Sequence, residues 1–157
     1  MNRVRKTQLA DTARMVALSE QARAELEKYQ PDFWRKAADS EEKQLPYFRQ
    51  QIENERVIAL VSEQVNELDG FIIGILTNPP PVYDPGGLTC VVDDFMVAAP
   101  DLWQSVGLNL LNEVISQAKE RGAVQVVVIC AHHDEPKRAM LIAENFPVAS
   151  EWRVRRI

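Results

Sequence analysis

Apolar and polar positions change period several times along the chain, and each change marks an element. Residues 3–8 alternate weakly, as a short edge strand does. Met15, Leu18, Ala22, Leu26 and Tyr29 then recur at intervals of three and four, which predicts a helix with one buried stripe. Asp11 is its expected N-cap, and Gln30-Pro31 ends it because a residue before proline avoids helical dihedrals. A second helix is expected from Ser40, with Glu41 and Glu42 near the positive end of its dipole. Leu45, Phe48 and Ile52 turn that helix inward as far as Asn54. Between the two helices, Phe33-Trp34 either anchors the connection to the core or walls an acceptor site.

After Asn54 the period drops toward two. Arg56–Ser62 and Phe71–Thr77 read as strands joined by the polar, Gly-ended turn 66–70, an antiparallel hairpin. The Pro- and Gly-rich stretch Asn78–Gly87 cannot continue a ladder and reads as a stiff loop. Leu88–Val97 is a third apolar strand. A helix is expected from Gln104 to Arg121, with Val106, Leu110, Leu111, Val114, Ile115 and Ala118 on one face and Gly122 as its left-handed C-cap. Val124–Cys130 is a nearly continuous apolar run, as a parallel strand covered on both faces requires. Strand, helix and strand of these lengths make a right-handed βαβ unit. A short helix from Pro136 to Asn145 and a last strand, Val148–Ile157, complete the pattern. The fold class expected is α/β with a mixed sheet, antiparallel strands in front and a parallel βαβ unit behind, in one domain spanning residues 1–157.

Composition narrows the function classes. A 157-residue chain with 46% hydrophobic residues buries a core without help from metal or disulfide. A net charge of −5 disfavours nucleic acid, whose phosphates select basic faces; the cluster Arg153, Arg155, Arg156 reads as a solvated strand end. No apolar run reaches the roughly 20 residues that cross a bilayer, and no apolar stretch follows the basic Met1–Lys6 to make a secretory signal. The expected setting is cytoplasmic, with Cys90 and Cys130 near opposite ends of parallel strands and unable to bridge.

Chemistry concentrates where Leu88–Val97 hands over to the following helix. A helix opening behind a strand directs free N–H groups and its positive dipole end outward, where phosphates bind. In open α/β sheets ligands sit beyond the C-terminal strand ends, which here collects Phe95–Val97, residues 102–109 and Cys130–Asp134. Asp93 and Asp94 are adjacent, so in a regular strand only one of them faces a given cleft. Asp94 is the candidate base for an ammonium acceptor, with a partly exposed or capping carboxylate as the plainer alternative. His132 and His133 are loop histidines or a general acid/base; His-His-Asp is not a metal spacing, and no metal is expected.

The element order and the stretch 93–122 resemble the GNAT acyltransferase superfamily. The family's pyrophosphate loop, Arg/Gln-x-x-Gly-x-Gly/Ala between a strand ending in Val and a Leu-Leu pair, falls without gaps on Leu102-Trp-Gln-Ser-Val-Gly107, between Val97 and Leu110-Leu111. Gly107 is kept, while Leu102 and Ser105 replace the Arg/Gln and the middle glycine. The resemblance implies that Phe95, Met96, Val97, Trp103, Gln104, Ser105, Val106, Gly107, Asn109 and Asp134 bind acetyl-CoA or another acyl-CoA. Asp94 and His132 are the catalytic candidates. Asp134 stands where the family often has Asn, and Leu141 where it often has an acidic Tyr. The implied activity is direct acyl transfer, of groups other than aminoacyl groups, to a primary amine on a small molecule or peptide. No nucleic acid and no membrane are expected as partners, and a homodimer is left open. The alternative is a GNAT-fold coenzyme-binding or regulatory module without turnover, and a third reading is an α/β interaction domain without coenzyme.

Overall fold

A computed structural model describes residues 2–65 and 67–157. The sheet runs in the order β1 (Arg3–Lys6), β2 (Val57–Gln64), β3 (Glu67–Thr77), β4 (Leu88–Val97), β5 (Ala123–Val128), antiparallel except for the parallel pair β4–β5. Helices α1 (Thr12–Tyr29), α2 (Pro31–Trp34) and α3 (Ser40–Glu53) come before β2; α4 (Leu108–Glu120) crosses from β4 to β5, and α5 (Glu135–Ala143) follows β5.

Strand alternation divides the core in two. Ile58, Leu60 and Ile72 join Leu110, Leu111 and Val114 of α4, whereas Val57, Ala59, Val61, Phe71 and Ile73 join Met15 and Leu18 of α1 and Phe48 of α3. At Gly74, a Cβ would stand 2.7 Å from Cys90 Sγ and 3.0 Å from Val114, so the glycine is what lets α4 lie this close to the sheet.

The expected strands, the long helices and the βαβ unit are present, with three differences. The hairpin turn is tighter than expected: β3 already begins at Glu67, and Val65 takes φ 51° at the bend, while Asn66 lies outside the described residues. Asp11 precedes α1 but caps no helical N–H; its carboxylate accepts from Gln8 N–H at 2.7 Å and from Arg5 at 2.8 Å. The third difference is larger. Residues 148–157 form no strand, and Val148 and Trp152 are 79% and 83% exposed. Alternation supplies a strand's pattern but not its ladder, and these residues meet side chains of the α2 region rather than a strand. Trp152 packs edge-on to Phe33 with ring centroids 6.0 Å apart, and Arg156 approaches Asp32 at 3.7 Å. β5 is therefore an edge of the sheet, with Val124 and Val127 exposed rather than covered on both faces as its apolar run had suggested.

Candidate active site

Two irregularities of β4 create the site. On one side β4 pairs with β5 only from Leu88 to Val92, and the last bond is donated by Ile129 N–H to Val92 O at 2.8 Å. Asp93–Val97 continue without a partner on that side, so the two parallel strands part at their C-terminal ends. On the other side the register with β3 jumps from Gly74↔Val92 to Ile72↔Phe95, which sets Asp93 and Asp94 together opposite Ile73. This is a bulge. It inverts the alternation, so that Cys90 and Val92 before it and Phe95 and Val97 after it face the same helix layer. The expectation that adjacent aspartates face opposite sides presumes a regular strand, and the bulge departs from one: Asp93 is exposed and Asp94 partly buried, and the charge of each reaches Tyr47 of α3. Burial, then Asp94, then Asp93 push the Tyr47 phenol upward.

Asp94 is partly buried, and among the described residues no cation lies within ion-pair distance of it. Burial first, and the neighbouring Asp93 second, raise its carboxyl to about 6, with Arg23 and Lys137 pulling the other way. A carboxylate poised there accepts a proton near neutrality.

Lys137 was not among the sequence candidates, and it is the most unusual side chain in the region. It stands in the first turn of α5, whose N-cap Asp134 accepts from Lys137 N–H at 3.4 Å. Its side chain is 5% exposed. Nζ lies 5.1 Å from the Phe95 ring centroid and 5.2 Å from that of Trp103, and donates to Phe95 O at 3.4 Å. Burial pulls its ammonium below the ordinary lysine range, against Cys130, Asp134, Asp93 and Asp94. A sequence signal did exist: Lys137, Met140 and Leu141 recur at three and four, which places the lysine on the buried stripe of α5.

The segment read as a phosphate loop is wound up. Pro100–Leu102 is a 3₁₀ turn and Trp103–Gly107 a π turn that runs directly into α4. The N–H of Leu102 is spent on Ala99 O and that of Trp103 on Pro100 O. Trp103, Val106 and Gly107 face the core, while Gln104, Ser105 and Asn109 are exposed. The Trp103 ring stands edge-on to Phe95 at 4.8 Å, and a Cβ at residue 107 would lie 2.7 Å from it. Gly107 has φ −59°, so what it supplies here is space for an indole rather than a left-handed turn. Phe95 is fully buried, Met96 and Val97 partly so, on opposite faces of the sheet. His132 is exposed, its carbonyl held by Arg138 at 2.9 Å, and His133 stacks on Tyr29 of α1 at 3.8 Å. Among the described residues no cluster of three or more His, Cys, Asp or Glu could hold a metal, and no helix is long and apolar enough to cross a membrane.

No family model and no curated protein matches the chain. Solved structures do match over nearly its full length. A mutant of the BH1408 protein from Bacillus halodurans superposes with a TM-score of 0.85 at 14% identity, covering 99% of each chain. A predicted acetyltransferase from Clostridium acetobutylicum, solved with acetyl-CoA, gives 0.75 at 15% identity, over 99% of this chain and 96% of that one. The fold is that of the GNAT acyltransferases. An aminoglycoside N-acetyltransferase, AAC(6')-Iy, solved with CoA, shares the GNAT fold with a TM-score of 0.74 at 9% identity, covering 100% of this chain and 95% of that one.

Proposed function

We propose that this chain is an acyl-CoA-dependent N-acyltransferase that moves an acetyl or other acyl group to a primary amine on a small molecule or peptide. The observation that carries the reading is the unpaired, bulged end of β4, which holds the partly buried Asp94 carboxylate next to the open backbone of Phe95–Val97. An acyl-CoA supplies an activated thioester, and its fit to the two ends of the site is unequal. The thioester arm matches the gap between the strands and an ammonium, Lys137, that has one long acceptor. The nucleotide end would be held by the exposed Gln104, Ser105 and Asn109 side chains, because the N–H groups of Leu102 and Trp103 are already used. Asp94, rather than the exposed His132, takes the proton from the amine, and backbone N–H groups of Phe95–Val97 polarise the thioester carbonyl. The two free cysteines suit a cytoplasmic setting.

A second reading is favoured by one observation, the Trp103 ring seated against Phe95 and Gly107: a GNAT-fold regulatory or interaction module without turnover. Calorimetry with acetyl-CoA and CoA, followed by an acyl-transfer assay on a panel of amines and peptides, separates the two. Binding with transfer supports the enzyme, and binding without transfer supports the module. No heat and no thermal shift at about millimolar ligand, a concentration corresponding to roughly 4 kcal/mol of affinity, rejects any coenzyme role.

A further inference from the structure

Lys137 is unexplained by packing or pairing. An ammonium carries three protons to donate. Here it has one acceptor, the Phe95 carbonyl at 3.4 Å, and two aromatic faces, and among the described residues no carboxylate lies within 4 Å of it. Removing one charge from water without a partner costs several kcal/mol, and a methionine would fill the same passage at less cost. The carboxylates that act on it from the surrounding elements are Asp93 and Asp94 of β4 and Asp134 at the start of α5, with the Cys130 thiol beyond β5. Its head lies at the gap between the strands, beside the Phe95 carbonyl on the stretch of β4 that β5 leaves free. A cation held there in low dielectric is suited to an anion that arrives only during turnover.

We propose that Lys137 is the proton donor to the departing sulfur of the acyl thioester, an assignment that rests on the acyltransferase reading above. The acceptor ammonium loses one proton to Asp94, and its nitrogen forms the C–N bond at the carbonyl carbon and releases a second proton to water. The C–S bond breaks with its electron pair on sulfur, and the sulfur takes a proton from Lys137 Nζ. The products are amide and thiol, leaving Lys137 as an amine and Asp94 as an acid. The proton on Asp94 then passes to Lys137 by way of solvent, which restores both groups, and the one proton released to water balances an ammonium acceptor against a neutral amide.

The test uses the full chain and its Lys137→Met and Lys137→Arg variants. Thermal melts establish that both fold, with Lys137→Met at least as stable as the parent. Without catalysis, the parent is expected to bind CoA roughly tenfold tighter than desulfo-CoA at about pH 8, a preference of about 1.4 kcal/mol. Lys137→Met is expected to bind the two equally, and Lys137→Arg to keep the preference. In turnover, Lys137→Met should lose about 10²-fold or more in kcat with acetyl-CoA. With p-nitrophenyl acetate, whose leaving group needs no proton, the loss should stay under about threefold, well inside the range of a general acid. Equal CoA and desulfo-CoA affinities in the parent, or unchanged kcat with acetyl-CoA in Lys137→Met, overturn the assignment while leaving the acyltransferase reading intact. No CoA binding by the parent overturns both.

Discussion

Two carboxylates withdrawn from solvent, one buried and one partly so, are treated in opposite ways. Glu20 of α1 accepts from Arg23 at 2.8 Å, Lys36 at 2.7 Å and the Ser40 hydroxyl at 2.6 Å. Burial pushes its carboxyl up, but those three donors together outweigh burial and hold it below the ordinary range. They also tie α1 to the start of α3 and to the chain after α2. Asp94, on the bulge of β4, has no such donors, and burial carries its carboxyl up to about 6. The difference separates a group that holds the fold from one kept ready to take a proton. A structural carboxylate is surrounded until it cannot titrate near neutrality; a working one is left short of partners.

The comparison breaks most visibly in turnover. Replacing Asp94 with Asn is expected to lower kcat/KM for acyl transfer by about 10²–10⁴-fold, the worth of a general base. In the parent, kcat/KM should climb with pH through about 6 as Asp94 ionises, and the variant should lack that limb. A parent profile flat across this range, measured with saturating acetyl-CoA, would assign the proton to some other group.

Glu20→Ala should cost stability instead, about 2–4 kcal/mol in urea unfolding, because three donors lose their acceptor at once. Its pH signature is opposite to that of Asp94. With the folded carboxyl held below its ordinary value of 4.5, the contribution is present above that value and lost as pH falls through the folded one. Parent and variant should therefore converge in stability only in acid.

Asp94→Asn should be more stable than the parent at neutral pH, on the order of 1–2 kcal/mol after allowing for screening by solvent. A carboxyl raised from 3.8 to about 6 stabilises the folded state fully below 3.8, and loses that contribution as pH rises through about 6. The gain seen by thermal melting should thus shrink toward acid. Smallest of all, Lys36→Ala should cost little stability in urea unfolding, since its ammonium is open to solvent and Arg23 and Ser40 remain on Glu20.

Much of this was legible in the chain itself. The helical stripe from Met15 to Tyr29, the apolar run of β4, Gly122 behind α4 and the parallel β5 each carry a period or a cap that local physics reads. Asp94 was legible as a candidate but not as a poised one, because a one-residue bulge depends on the pairing with β3 rather than on residues 88–97 alone. The winding of Trp103–Gly107 was hidden for a related reason: whether a glycine serves a phosphate or an indole depends on where the Trp103 ring goes, and Phe95 across the cleft decides that. Lys137 was passed over as an ordinary helical lysine, although its spacing to Met140 and Leu141 set it on the buried stripe. Residues 148–157 failed in the other direction, since their alternation matches a strand but no ladder partner meets them.

The missing last strand leaves the two margins of the sheet unequally guarded. β1 carries Arg3 and Lys6, exposed charges that repel a second chain arriving in extended form. β5 reads Ala-Val-Gln-Val-Val-Val, without a single charge, and beside Val124 and Val127 the residue Ile129 is also exposed. Concentration therefore acts on the molecule from one direction only. Two copies meeting through β5 would use up each other's neutral margin and leave only charged ones, so growth by that route halts at a pair instead of running on into a fibre. The charged remedy already sits on the opposite margin, and a single Val127→Lys would copy its sign.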